Sequence, residues 1–383
     1  MKFVFKLAPV VAALIAVSAH AADIKIGVTE ALTGGAAQYG NNIRNGFMLA
    51  ADEINAAGGI NGNKIQLIVE DEQTKKEEAI NAFKKLIFQD KVLMVFGPTL
   101  SNSALSAQPL AQAAKVVAFG TSNTVDGITD PGDYIFRDSV TESAVIPVTV
   151  KTAKAKLGLK KVAVMYANND AFSKGGYDIF KKALADDHIA TTDTETFSTG
   201  DVDFKAQLTK IKGTNPDAIV LSALIAEGGP IVAQARQLGI NVPFIGGNGM
   251  NSPKLFALAP GAASDNLWVG SPWSLSNDSP ENTKFIAAYK AKYNANPDQF
   301  SAQAYDGMYI AAAAMKKVHF TGNLAKDRAD FRNALATISW TGATGPFKFV
   351  QAKNSKTDKP AGYDADQMPI ISVTKGGQYT IVK

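Results

Sequence analysis

From residue 24 onward, short apolar runs alternate with stretches in which apolar residues recur every three or four positions. Residues 24–28 (IKIGV) read as a strand. Ile43, Phe47, Ala50, Ala51 and Ile54 then fall on one face of a helix, which Gly58-Gly59 ends. Residues 65–69 predict the next strand, 79–87 the next helix, and 92–96 and 116–119 two more strands. After Phe136 the pattern restarts. Strands are predicted at 162–165, 218–221 and 244–245, with helices at 175–184 and 229–238. Strands that alternate with helices imply a parallel sheet covered on both faces. Two such series predict an α/β protein with two doubly wound, Rossmann-like lobes.

The last third offers helices at 281–293, 301–317 and 327–335. Ser279-Pro280-Glu281 is a good helix start, with a capping hydroxyl, a proline and an acid in order. Strands follow near 347–350, 370–373 and 379–382. These pieces are too few for a third sheet, so they are expected to complete the first two. The expected division is 22–140 plus about 273–348 for the first lobe, and 141–272 plus about 349–383 for the second. Pro-Gly-rich or charged linkers are absent, which favours a tight multi-strand hinge over a flexible tether.

The amino-terminal residues bear on compartment. Lys2 and Lys6 precede an apolar run at 8–17, and Ala19-His20-Ala21 is a small-residue cleavage signal. This reads as a signal peptide, residues 1–21, cut after Ala21. The run is too short to span a bilayer core of about 30 Å. Export to the periplasm is the expectation. Removing Lys2 and Lys6 leaves 37 basic residues against 35 acidic ones, a charge of +2. The lysines are dispersed, so no nucleic-acid surface is expected. The chain has no cysteine, which excludes thiol catalysis, disulfides and cysteine metal sites. With only His20, His188 and His319 available, no metal or cofactor is expected.

The sequence carries no G-x-S-x-G elbow, no phosphate-binding G-x-x-x-x-G-K-S/T loop and no H-E-x-x-H. Gly246-Gly247-Asn248-Gly249 reads as a turn. The positive signal lies at the carboxyl ends of predicted strands, where open α/β sheets bind ligands beside helix amino termini. One strand runs into Gly97-Pro98-Thr99-Leu100-Ser101-Asn102-Ser103, and Ser101 is expected to cap the following helix. The next runs into Gly120-Thr121-Ser122-Asn123-Thr124. Two neighbouring hydroxyl-rich turns favour an anion site, although an ordinary cap explains either one alone.

Leu32-Thr33-Gly34, Gln38-Tyr39-Gly40, the Gly97–Ser103 turn and above all the stretch D-E-I-N-A-A-G-G-I-N-G at 52–62 resemble the periplasmic leucine/isoleucine/valine-binding protein family. These are type I solute receptors of ABC transporters. The resemblance spans the chain behind the leader and is strongest over 23–125. It implies that Ser101, the backbone of Ser122, and Thr124 hold a ligand carboxylate, with Tyr39 over the ligand. In the second lobe it implies that Phe172 and Leu224 stand where leucine-binding relatives carry tyrosines. Asn248 stands where they carry the glutamate that meets the ligand ammonium. Phe300 falls at an apolar side-chain contact. It further implies an inner-membrane ABC permease as partner and a monomeric receptor.

Asn248 is a neutral acceptor, whereas a buried ammonium calls for a carboxylate. Either another acid substitutes, with Glu30 and Glu227 as candidates, or the ligand lacks an amine. The expected function is therefore capture of a small carboxylate-bearing ligand, a hydrophobic or branched-chain amino acid or a related compound. The alternatives are an amine-free aromatic or aliphatic carboxylate, a sensory receptor subunit, and, remotely, an exported enzyme using Glu30 with Glu227.

Overall fold

The computed structural model describes residues 23–382, so the expected leader and its cleavage site lie outside the described residues. The first series contains β1 (Ile24–Glu30), α1 (Ala37–Ala56), β2 (Ile65–Asp71), α2 (Lys76–Lys84), β3 (Met94–Phe96), α3 (Ser101–Ala114), β4 (Val117–Gly120) and β5 (Ile135–Arg137). The second contains α4 (Glu142–Leu157), β6 (Lys161–Ala167), α5 (Ala171–Asp186), β7 (Ala190–Phe197), α6 (Lys205–Gly213), β8 (Ala218–Ser222), α7 (Ile225–Gln237), β9 (Phe244–Gly246), α8 (Lys254–Leu258) and β10 (Leu267–Ser271). Then follow α9 (Pro280–Tyr293), α10 (Gln299–Met315), α11 (Leu324–Leu335), β11 (Ser339–Gly342), β12 (Gly345–Lys353), β13 (Pro360–Asp366), β14 (Ile370–Lys375) and β15 (Gln378–Ile381).

The strands form two sheets, ordered β11-β12-β13-β5-β4-β3-β1-β2 and β15-β14-β10-β9-β8-β6-β7. The parallel parts, β2-β1-β3-β4-β5 and β7-β6-β8-β9-β10, have the same order. This is the doubly wound 2-1-3-4-5 arrangement, whose ligand crevice lies outside the carboxyl ends of its strands. The central strands are apolar on both faces because helices cover both.

The apolar stripe predicted on α1 is buried at Ile43, Phe47, Ala50, Ala51 and Ile54. Gly46 lets α10 lie against it, since a Cβ there would sit 2.3 Å from the Ser301 carbonyl oxygen. Ser279 caps α9 as expected, accepting from the Asn282 N–H with Pro280 at the first helical position.

The chain passes between the sheets at 138–141, 272–279 and 367–369. The expected boundary near 348/349 is corrected: β12 and β13 belong to the first sheet. Phe349 packs edge-on against Phe119 at 5.6 Å and Phe136 at 5.1 Å, and Tyr363 stacks on Phe136 at 4.6 Å. Arg137 closes the join with an ion pair to Asp364 at 2.6 Å. The aromatic faces of these strands can be buried only on the first sheet. Only β14 and β15 extend the second. Among the described residues, no helix is long and apolar enough to cross a membrane.

Candidate functional site

The carboxyl ends of the two parallel sheets face one another across a narrow cleft. It is lined by Tyr39 on α1, Thr99, Leu100 and Ser101 after β3, and Ser122 after β4. Phe172 on α5, Leu224 after β8, Asn248 and Gly249 after β9, and Phe300 on α10 complete the lining. Seven of the ten residues expected from the sequence meet here: Tyr39, Ser101, Ser122, Phe172, Leu224, Asn248 and Phe300. Thr124, Glu30 and Glu227 do not line the cleft.

Contrary to the expectation from its turn, Ser101 does not cap α3. Leu100 occupies the capping position with no side-chain bond, and Ser101 is the first helical residue. Its hydroxyl is thus not spent on the helix terminus, whose outward N–H groups and dipole favour an anion. Ser122 donates its hydroxyl to the Thr99 carbonyl at 2.7 Å, joining the two turns. Asn123 adds bonds to the Pro98 and Thr99 carbonyls at 2.9 and 3.0 Å. The polar wall is held before any ligand arrives.

The opposite wall is apolar. It is formed by Phe172, buried, and Leu224, half-buried, while Phe300, also buried, adjoins it from α10 of the first lobe. Gly249 allows this wall to close, because a Cβ there would lie 2.9 Å from both Phe172 Cε1 and the Ala223 carbonyl oxygen. Tyr39 spans the cleft, its ring edge-on to Phe300 at 4.7 Å. Its hydroxyl donates to the Gly249 carbonyl at 2.8 Å and accepts from the Ile225 N–H at 2.6 Å. Asn102 makes a second bridge, to Asp170 at 2.9 Å and to the Ala171 N–H at 3.0 Å. These bonds hold the two lobes together.

The expected acids stand elsewhere. Glu30 is fully buried beneath the first turn, where Thr99 Oγ1 donates to it at 2.5 Å, and burial pushes its carboxyl well up. Glu227 accepts from the Gly200 N–H at 2.8 Å and lines an outer groove with Asp170 and Asp201. The two are not brought together, so the pairing needed for the enzyme alternative is not formed. Both are held by local backbone and side-chain donors, which is why neither turns into the cleft.

The sequence reading missed Glu142. It starts α4, is 1% exposed, and accepts from the Asn248 N–H at 3.2 Å through Oε1. Thr124 directs its hydroxyl to the same oxygen at 3.4 Å, which explains its absence from the lining. Oε2 has no hydrogen-bond partner. Burial pushes the carboxyl up to about 7 against those two donors. Asn248 Oδ1 accepts from Gln299 Nε2, whose own Oε1 accepts from Asn251 at 2.7 Å. The only signal for Glu142 was Thr141-Glu142-Ser143, a capping hydroxyl followed by an acid, at the head of a helix the hydrophobic pattern did not reveal.

Comparison with known proteins shows the family to which this fold belongs. The model of the periplasmic binding protein family matches residues 23–377. The Leu/Ile/Val-binding protein BraC3 of Rhizobium johnstonii is 28% identical over 334 residues, covering 85% of this chain and 89% of that protein. An amino acid binding protein of Pseudomonas aeruginosa is 31% identical over 257 residues, covering 67% of this chain and 68% of that one. Among solved structures, the branched-chain amino acid transporter substrate-binding protein LivJ of Streptococcus pneumoniae, in complex with isoleucine, superposes with a TM-score of 0.83. It is 32% identical and covers 94% of this chain and 99% of that one. A solute-binding protein of Rhodopseudomonas palustris in complex with 3,4-dihydroxy benzoic acid gives 0.81 at 25% identity, covering 94% and 96%. The chain belongs to the periplasmic binding protein family, as a type I solute-binding protein of the Leu/Ile/Val-binding group.

Proposed function

We propose that the protein captures a small, largely apolar carboxylate between its two lobes and delivers it to an inner-membrane ABC permease. A hydrophobic or branched-chain amino acid is the foremost ligand class. One observation carries this reading: the hydroxyl-rich wall around Ser101 and Ser122, at the amino terminus of α3, faces the apolar Phe172 and Leu224 of the second lobe, with Phe300 of the first lobe beside them. Such a cleft orients a ligand by its charged end and selects it by its apolar end. The Tyr39 and Asn102 bridges bind the closed arrangement, so a ligand that prefers it shifts the lobes toward closure. A cleaved leader delivers the chain to the periplasm, where it acts as a monomer.

A second reading, an amine-free aromatic or aliphatic carboxylate, is favoured by Asn248. Its amide is neutral and its Oδ1 is occupied by Gln299, so it supplies no charge to an ammonium. The test is to unfold the protein, wash away carried ligand, refold it, and record melting curves with each amino acid beside its amine-free acid. Saturation at one hundred times Kd gives about 2.7 kcal/mol of stabilisation. No shift with any carboxylate in the panel overturns the proposal.

A further inference from the structure

Glu142 has no role in the functional reading above, yet it is a buried carboxyl one layer behind the cleft lining, bonded to the lining residue Asn248. It heads α4 where the chain first crosses between the sheets, next to the turns that end β4 and β9. Its Oε1 is engaged by the Asn248 N–H and the Thr124 hydroxyl. Its Oε2 is buried without a partner. A methyl group placed on Gly247 would lie 3.4 Å from Oε2 and 3.6 Å from Phe172 Cζ, so Gly247 is the small residue between this oxygen and the ring that lines the cleft. A buried oxygen without a partner is costly, and a ligand that supplies one gains that cost as affinity.

On the reading that this cleft binds carboxylates, we infer that Glu142 meets the α-substituent of the ligand and serves two ligand classes with one oxygen. Ionised, Oε2 accepts from the ammonium of an α-amino acid. Protonated, it donates to the carbonyl of the corresponding α-keto acid. No bond other than a hydrogen bond changes. Binding the amino acid to the protonated form releases one proton, and binding the keto acid to the ionised form takes one up.

The surroundings allow both states. Burial disfavours the charge, and the Asn248 N–H, the Thr124 hydroxyl and the Asn248 side chain favour it, leaving the group at about 7. Asp126, on the loop after β4, is the charged neighbour and raises it further. The nearby Arg137 guanidinium is turned away, onto Asp364 and the Asn123 and Val125 carbonyls. From α5 the Phe172 ring lies across Gly247, and from the β9 turn the facing groups are the Asn248 N–H and the Asn248 side chain. Among the described residues, no cationic side chain bonds to Glu142.

The sign of the pH dependence follows. Amino-acid affinity requires the ionised form, so it falls as pH drops below about 7. Keto-acid affinity requires the protonated form, so it falls as pH rises above about 7. Each limb approaches about tenfold per pH unit.

The experiment is isothermal calorimetry of the refolded protein with leucine and with its α-keto acid, from about pH 5.5 to about pH 8.5, in buffers of different ionisation enthalpy. Opposite slopes are expected, with proton release for leucine and uptake for the keto acid. Glu142→Gln is expected to weaken leucine by about tenfold or more while keeping the keto acid, to which the amide still donates, and to abolish both slopes. Slopes of the same sign, flat profiles, binding of one class alone, or unchanged slopes in Glu142→Gln overturn the inference while leaving the carboxylate receptor intact. Should neither class bind at any pH, the receptor reading falls with it. Glu142→Asp, which keeps the charge, should retain the leucine slope. A variant melting curve like that of the unsubstituted protein shows that the loss is not one of folding.

Discussion

The two parallel sheets share the strand order 2-1-3-4-5, and each turns the carboxyl ends of its strands to the same cleft. What they present there is opposite. The first sheet offers Thr99, Ser101 and Ser122 on turns locked by Asn123, whereas the second offers Phe172 and Leu224 with a buried acid behind them. Topology fixes where the loops meet, and on the receptor reading loop chemistry sets which end of a ligand each lobe takes. The lobes also differ in size. The first sheet takes three further strands from the end of the chain and the second takes two.

That inequality rests on the aromatic faces of β12 and β13, and breaking it should have the largest effect. Phe349→Ala removes a ring packed on Phe119, Phe136 and Phe347 and is expected to cost about 3–5 kcal/mol. Hydrogen exchange should accelerate at β4 and β5 and stay unchanged at β8 and β9. Equal acceleration in both sheets would mean that the strand is shared rather than part of the first lobe.

The contrast between the walls is the next to test. Ser101→Ala removes a hydrogen bond to a charged ligand end and should cost about 1.5–3 kcal/mol of affinity. It should weaken all carboxylates alike. Leu224→Ala should instead weaken ligands in proportion to their apolar side chains, by about 0.8 kcal/mol per CH₂ left exposed. Calorimetry with alanine, valine and leucine separates the two. If Leu224→Ala weakened all three equally, the division of labour would be wrong.

Tyr39 joins the walls, so its hydroxyl sharpens the comparison. Tyr39→Phe keeps the ring on Phe300 and leaves the Gly249 carbonyl and the Ile225 N–H without their partner. A loss of about 1–3 kcal/mol in the closed form is expected, read as weaker binding and a larger radius in small-angle scattering. Weaker binding with an unchanged radius would place its effect on the ligand and not on the bridge.

The strands with both faces buried and the amphipathic helices were legible in the sequence, because apolar runs and periodicity are local signals. Of the lining, Ser101 and Ser122 followed from their turns and the carboxyl-end rule, whereas Tyr39, Phe172, Leu224, Asn248 and Phe300 came from the family resemblance. Less was visible where the pattern is weak. In α4 the apolar positions are interrupted by Pro147 and by β-branched residues, so the helix was not foreseen and neither was Glu142 at its head. The strand β7 (ATTDTETF) lies at a sheet edge with mostly exposed or half-buried residues, and its threonines give no apolar alternation. Glu30 was misjudged because its position at the end of β1 suggested the cleft, while Thr99 holds it underneath. Such three-dimensional choices among nearby polar partners leave no mark on spacing.

The smallest expected effect comes from the opposite ends of the strands, where the same chemistry serves the fold. Asp217, just before β8, accepts from the Lys160 and Lys161 N–H groups at 2.8 and 2.9 Å. Those N–H groups, the Lys160 one first, hold its carboxyl below the usual range. Its contribution is therefore present above the unfolded value of about 3.9 and is lost as pH falls through the lower folded value. Asp217→Asn should lower the melting temperature slightly near neutral pH, and the gap should close as pH drops toward about 3. A gap that stayed constant with pH would show that the charge contributes nothing and that the amide accepts less well for steric reasons alone. At this end a fixed carboxylate fills the backbone donors and ties β6 to β8. At the other end of the first sheet, the start of α3 and Ser101 form a donor-rich pocket, and the receptor reading lets a ligand carboxylate fill it.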